Sequence, residues 1–186
     1  MIKLFKTLAV VLVSLTLIQC SNNKFDVSKG KVGKLTTKTT IQEIDAIFAK
    51  DSIVKILSEG DKGQLSIGDD DKYEVYEKGG KHLLTIVPQE QLDSTSTIKS
   101  IEIFDERFQT ISGLNINSDF QQINANNKIS KVETTFSSAT LFIDDLNATI
   151  SISKEDLGLK DFGSRKVSID QIPDLAKIKS LTIWFN

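Results

Sequence analysis

The chain has very little of the residue types that usually carry catalysis or covalent cross-links. Its 186 residues include one cysteine, one histidine, one tryptophan and two prolines. A single cysteine excludes an intramolecular disulfide, so the fold must depend on its hydrophobic core. One histidine cannot supply the clustered ligands of most zinc sites, and two prolines cannot form a proline-rich linker. We therefore expect one domain that has no cofactor or metal.

Familiar catalytic patterns are also missing. The histidine, His82, has no Gly-x-Ser-x-Gly nucleophile elbow to serve, and Gly79–Gly80 is predicted to form a turn rather than a phosphate loop. Asp69–Asp71 and Asp144–Asp145 lack the alternating ligands and turn glycine of a calcium loop, so we interpret both clusters as solvated loop charge. The net charge of −2 argues against a nucleic-acid partner, which requires a concentrated basic surface.

The first 19 residues have the pattern of an export signal. Lys3 and Lys6 precede an apolar run from Leu8 to Ile18, which is the order of the basic and apolar regions in signal peptides. This run is shorter than the roughly 20 residues that a transmembrane helix needs. We predict that residues 1–19 are removed, which leaves 167 of the 186 residues and changes the net charge from −2 to −4.

The end of this leader resembles the lipobox of bacterial lipoproteins. The resemblance lies in Leu17-Ile18-Gln19-Cys20, although Gln19 departs from the Gly, Ala or Ser that the family prefers before the cysteine. It implies a thioether-linked lipid with palmitate-type acyl chains on Cys20, and residues 20–24 would then be the lipidated tether. We therefore expect a cell-envelope protein that is anchored to a bacterial membrane through its N-terminus. The alternative for Cys20 is an ordinary buried thiol.

Residues 25–186 are predicted to form a single α+β domain, with two short helices packed on one side of a mainly antiparallel sheet. The capping box at Thr40–Glu43 and the apolar stripe that follows predict a helix over 41–49. A second cap, beginning at Ser118, predicts a shorter helix that ends in the turn-forming cluster Asn124–Asn127.

Alternating and β-branched segments predict the strands of this sheet. Turn residues at 78–81 and 144–147 indicate two hairpins. In the strand over 131–136, Val132 and Phe136 are expected to point inward. The predicted strands are 53–56, 73–77, 82–87, 98–104, 131–136, 140–143, 148–152 and 179–185.

One order of elements occurs twice. A glycine turn, a capped helix, a polar loop and a strand follow one another from Gly33 and again from Gly113. This order is consistent with an internal duplication, and the chance occurrence of two similar units is the alternative.

Four segments between Gly30 and Asn186 carry a resemblance to a known group: 31–35, 58–60, 98–101 and 172–178. Through them the chain resembles a group of uncharacterised lipoproteins of flavobacterial type. The order Val-Gly-x-Leu, helix, strand, Glu-Gly and hairpin is more faintly similar to that of the sigma-E-regulated outer-membrane lipoproteins. These residues form turns and packing contacts, so the resemblance implies no catalytic residue.

Large amphipathic side chains are the candidates for ligand contact. Tyr73, Tyr76 and Trp184 lie in predicted strands, and Trp184 is on the opposite face of its strand from Ile183. We expect a non-catalytic binding or assembly module whose partner is an unknown protein or envelope ligand. The alternative is a periplasmic or surface hydrolase that uses carboxylates. A cleft with two carboxyl groups of raised pKa would favour the hydrolase, and an exposed apolar patch near Trp184 would favour the binding module.

Two triplets resemble the acceptor motif for O-linked sugars in proteins of Bacteroidota type. They are Asp51-Ser52-Ile53 and Asp93-Ser94-Thr95.

Overall fold

The computed structural model describes residues 24–58, 70–158 and 166–185. Within these ranges eleven strands form two antiparallel sheets. The smaller sheet is a meander of two-residue strands: β1 (Val27–Ser28), β2 (Lys31–Val32) and β3 (Leu35–Thr36). The larger sheet has eight strands. They are β4 (Ser52–Ile56), β5 (Lys72–Tyr76), β6 (His82–Pro88), β7 (Ile98–Ile103), β8 (Ile129–Thr134), β9 (Ser138–Ile143), β10 (Ala148–Ser153) and β11 (Ile178–Trp184).

The strand order of the large sheet divides it into two equal halves. The order is β4-β5-β6-β7-β11-β10-β9-β8, and every neighbouring pair is antiparallel. Each half is therefore a four-stranded meander, and the last strand of each half pairs with the other at the centre. Central pairing places Ile101 opposite Ile183 and Glu102 opposite Thr182.

Helices contribute little to this fold. A 3₁₀ turn at Ile41–Glu43 continues into the four-residue helix α1 (Ile44–Ile47). The longest helix in the described ranges is α2 (Phe120–Asn126), and a further 3₁₀ turn lies at Ile169–Gln171. The predicted α+β class, with two helices packed on one side of the sheet, is therefore wrong, because the protein is predominantly β. None of the described helices has the length and apolar character needed to cross a membrane.

The α+β prediction is wrong because it was based on capping boxes, which do not give the length of a helix. A capping box identifies where a helix begins but not how far it continues. Thr40 and Glu43 form the predicted box, yet the first helix ends at Ile47, within two turns. The second box uses Asp119 and Gln122, one residue later than the predicted cap at Ser118. Neither helix is long enough to form a layer of its own.

Loops and the small sheet therefore supply most of the cover for the core. The inward residues of the large sheet and apolar residues from outside it form one buried cluster. The contributors from outside the large sheet include Val27, Val32, Leu35, Ile44, Phe48, Phe108, Leu114, Phe120, Ile123, Leu157 and Ile172. Because burial of apolar area is the main stabilising contribution to folding, these loops are part of the core rather than connections alone.

Both predicted hairpins are confirmed: β5 pairs with β6, and β9 pairs with β10. The prediction for β8 was less accurate. The strand ends at Thr134 instead of 136, and Phe136, which was expected to point inward, is 76% exposed. Alternation indicates which residues share a face of a strand, but it does not mark the residue at which pairing stops.

An ionic network around the buried carboxylate of Asp105 joins Phe25 to the large sheet. The guanidinium of Arg107 donates to both carboxylate oxygens of Asp105, at 2.6–2.9 Å, and to those of Glu77 at 2.9 and 3.0 Å. Asp105 has no exposed side-chain surface and also pairs with Lys81 at 3.1 Å. The guanidinium carbon lies 4.6 Å from the ring centre of Phe25. This network connects the β5–β6 turn, the segment after β7 and Phe25.

Candidate functional site

The face of the large sheet opposite the core, here called the outer face, carries a polar row across four neighbouring strands. In β7, Ile101 and Ile103 are buried in the core, so Glu102 between them points to the outer face. The strand register aligns four outer-face side chains across β5, β6, β7 and β11, and we call them the central row. They are Glu74, Thr85, Glu102 and Thr182.

A cavity of about 500 Å³ lies over this row. Ligand sites for small molecules commonly have volumes in this range. The neighbouring row adds Val87, Ser100 and Trp184, which are aligned across β6, β7 and β11. The lining residues are Lys72, Glu74, Tyr76, His82, Thr85, Val87, Ser100, Glu102, Phe104, Thr182 and Trp184.

Three stacked rings form one end of the cavity. The ring centres of Tyr76 and His82 are 4.6 Å apart, and those of His82 and Phe104 are 3.9 Å apart, with nearly parallel planes in both pairs. Nε2 of His82 lies 3.1 Å from the hydroxyl of Thr85, and the Tyr76 hydroxyl donates to Glu74 at 2.7 Å. These contacts hold the aromatic stack in a fixed position beside the central row.

Trp184 lies in the neighbouring row of the cavity lining, and hydrogen bonds hold it in place. Its indole Nε1 donates to the hydroxyl of Thr149 on β10 at 3.0 Å. The backbone of Trp184 exchanges two hydrogen bonds with Asn147, one to the Asn147 carbonyl and one from its side chain. An indole held in this way presents a rigid, amphipathic surface to the cavity.

Glu102 is the central ionisable group of the cavity. Burial raises the pKa of its carboxyl group, and the nearby His82 and Lys72 partly oppose this effect. Within the described part of the chain, no donor forms a hydrogen bond with the Glu102 carboxylate. A half-buried carboxylate without a donor is less stable than one in water, so it can gain free energy from a ligand that supplies a donor.

The three aromatic residues that were predicted as a possible binding surface do not all lie on one face of the sheet. Tyr76 and Trp184 both line the cavity. Tyr73 points to the other face of β5 and is buried in the core with Val75. Because side chains alternate along a strand, two tyrosines three residues apart must lie on opposite faces.

Glu102, Phe104 and His82 were not among the residues predicted to contact a ligand. The alternation of Ile101 and Ile103 already placed Glu102 on the other face of β7, so a local signal for it was available. The stacking of His82 between Tyr76 and Phe104 had no local signal, since it joins residues of β5 and β6 to the residue that follows β7.

The interpretation of the first acidic cluster as solvated charge is wrong for Asp71. Its side chain is fully buried and accepts hydrogen bonds from the backbone N–H groups of Ser58 at 2.8 Å and Leu92 at 2.6 Å. Burial raises the pKa of Asp71, but these hydrogen bonds outweigh it and the net effect is a lowered pKa. Asp71 thus connects two loops, and Leu92 has a left-handed backbone with φ +58°. Asp69 lies outside the described residues.

No group of three or more metal-ligating side chains lies together in the ranges that the structure describes. Ser52 and Ser94, the central residues of the two sugar-acceptor triplets, are both exposed. The predicted signal peptide and Cys20 lie outside the described residues.

Comparison with known proteins yields a fold but no function. No protein-family model matches the chain, and no curated protein matches it. A crystal structure titled as the uncharacterized protein yfeY from Escherichia coli is similar, with a TM-score of 0.58 and 17% sequence identity. The match covers 86% of this chain and 99% of that one. At this level of identity the similarity shows a shared fold alone.

Proposed function

We propose that this protein is a non-catalytic binding module of the bacterial cell envelope, held at a membrane by lipid on Cys20, and that it binds its ligand in the cavity of the outer face. The observation that supports binding is the combination of a 500 Å³ cavity with fixed aromatic groups, Trp184 on one side and the Tyr76–His82–Phe104 stack on the other. Rigid aromatic side chains bind ligands at a low entropic cost because they are already ordered.

Intrinsic fluorescence provides a direct test, since Trp184 is the only tryptophan of the chain. We expect at least one low-molecular-weight fraction of an envelope extract to change the emission of the purified full-length protein in detergent. Replacement of Thr182, at the end of the central row, by arginine should fill the cavity and weaken that response at least tenfold.

Thr140→Arg is the matched control for this substitution. Thr140 lies on β9 of the same sheet, outside the cavity lining, and pairs with Ser151 and Glu133. This variant should respond as the wild-type protein does. An unchanged response in Thr182→Arg, or no response to any fraction in the wild-type protein, would show that the cavity is not a binding site.

The membrane anchor is tested separately through Cys20. Cells fed labelled palmitate should incorporate label into the wild-type protein, and Cys20→Ala should remove essentially all of it because the thiol that accepts the lipid is gone. The Cys20→Ala variant should also keep residues 1–19, because it lacks the cysteine at which lipoprotein processing takes place. Equal labelling of the two proteins would exclude the lipoprotein assignment and leave the cavity proposal unaffected.

A hydrolase that uses carboxylates is the second candidate, because two carboxylates line the same cavity. Glu74 and Glu102 lie on β5 and β7, which places their backbones about 10 Å apart across the intervening strand. The raised pKa of Glu102 suits a general acid. Turnover of an envelope glycoside or peptide that disappears in both Glu74→Gln and Glu102→Gln would favour this candidate over the binding module.

A further inference from the structure

The charges that line the cavity are unequal. Two carboxylates, those of Glu74 and Glu102, face one lysine, Lys72. Glu74 already accepts the hydrogen bond of the Tyr76 hydroxyl. An anionic ligand placed over the central row would meet like charge, which disfavours binding in a partly desolvated site.

Glu102 stands at the middle of the central row, between Thr85 on β6 and Thr182 on β11. The Thr85 hydroxyl is engaged with His82, at 3.1 Å from its Nε2. The Glu102 carboxylate lines the cavity, and its oxygen atoms can accept hydrogen bonds from a ligand. Hydrogen bonds between charged groups are stronger than those between neutral ones, so a cationic donor gains most from this position.

Aromatic and apolar side chains lie on both sides of Glu102. Phe104 is 41% exposed, and Trp184 and Val87 line the opposite row. Aromatic faces attract cations through their ring quadrupoles, and they also pack against the carbon atoms next to a charged group. The combination of a carboxylate with aromatic walls is complementary to an ammonium group that carries an apolar chain.

We infer that the cavity binds an organic ammonium ion, with its nitrogen paired to Glu102 and its carbon chain packed against Trp184 and Phe104. This inference rests on the proposed binding function and names the chemistry of its ligand.

Three probes of equal length test the inference on the wild-type protein. They are hexylammonium, 1-hexanol and hexanoate, which share six carbon atoms and carry a cationic, a neutral and an anionic head group. Titrations of the full-length protein in detergent, followed by the emission of Trp184, should show saturable binding of hexylammonium. Hexanol and hexanoate should bind at least tenfold more weakly, because neither supplies a cationic donor to Glu102.

A pair of variants tests the role of the carboxylate. Glu102→Gln keeps the shape of the side chain and removes its charge, and it should weaken hexylammonium binding at least tenfold. Glu133→Gln is the matched control, since Glu133 is an exposed residue of the same sheet on β8, four strands away from β7. That variant should bind as the wild-type protein does. Circular dichroism of both variants establishes that they are folded, and the comparison of the three probes needs no variant.

Several results would overturn the inference. Equal binding of hexanol and hexylammonium, tighter binding of hexanoate, no binding of any probe, or full binding by Glu102→Gln would each exclude an ammonium site at Glu102. If the envelope fraction still changes the emission of the wild-type protein and not that of Thr182→Arg, the binding function stands with a ligand of other chemistry. If that response is absent too, the proposed function fails as well.

Discussion

Replacement of Arg107 by alanine is expected to lower the free energy of unfolding by about 3 kcal/mol, measured by urea denaturation at pH 7. The reason is that Asp105 has no exposed side-chain surface and would keep only Lys81 and the backbone N–H of residue 107 as partners. The same change removes the two hydrogen bonds to Glu77 and the contact of the guanidinium with Phe25. Loss of this network should loosen the N-terminal residues from the sheet first.

The effect of this substitution should depend on pH with a definite sign. Burial raises the pKa of Asp105, but the hydrogen bonds from Arg107 and Lys81 outweigh it and lower the pKa from 3.8 to about 2. A depressed carboxyl pKa stabilises the folded state above the pKa of the unfolded chain, and this contribution disappears as the pH falls through the folded value. The lowered pKa of Asp105 corresponds to a stabilisation of the folded state of about 2 kcal/mol at neutral pH.

The difference in stability between wild-type protein and Arg107→Ala should therefore narrow as the pH is lowered from 4 to 2. A difference that stays constant over this range would contradict the assignment to Asp105. Arg107→Lys should lie between the two, because it keeps the charge and loses the planar fork. Lys55→Ala is the matched control. It breaks the exposed pair with Asp45 and should leave the unfolding midpoint nearly unchanged.

Replacement of Gly33 by alanine should also cost about 3 kcal/mol of unfolding free energy. Gly33 has φ +58°, a left-handed conformation that is unfavourable for residues with a Cβ atom. An added Cβ would lie 2.5 Å from the backbone oxygen of Lys24 and 3.4 Å from the ring of Phe108. The backbone N–H of Gly33 also donates to the carbonyl of Asp26, so the turn cannot move away easily.

Gly113 provides the matched control, because it is the second of the two glycines that begin the repeated order of elements. Its φ is +81°, and a Cβ atom there would meet nothing within 4 Å. Gly113→Ala should therefore cost about 1 kcal/mol, the price of the backbone conformation alone. Thermal unfolding of the two variants separates the contributions, and equal losses would show that the contact with Lys24 is unimportant.

Local signals predicted a large part of the sheet and one part of the candidate site. The hairpin between β5 and β6 follows from Gly79 and Gly80 in its turn, which involves only residues close in sequence. The outward direction of Trp184 follows from alternation with Leu181 and Ile183, both of which are buried. Alternation also separates Tyr73 from Tyr76, but it does not tell which of the two faces the core.

For the helices, local signals predicted where each one starts but not how long it is. The boxes at Thr40 and near Ser118 correctly indicated helix starts, and the α+β class derived from them was wrong. Helix length depends on the packing partners that an apolar stripe finds in the folded chain. Here the sheet is covered by loops and the small β-sheet, and helices of four and seven residues fill the spaces between them.

The sequence by itself determined the hairpins and the alternating faces, because each depends on neighbours along the chain. The leader that ends at Cys20 stays a prediction from the sequence. Only the tertiary structure decided which strands lie side by side. The pairing of β7 with β11 joins residues about 80 positions apart and brings Glu102 and Trp184 into one cavity. The tertiary structure also decided the role of Asp71, because its hydrogen-bond partners Ser58 and Leu92 belong to different loops. No local rule encodes such contacts, because they form only when the whole core is buried.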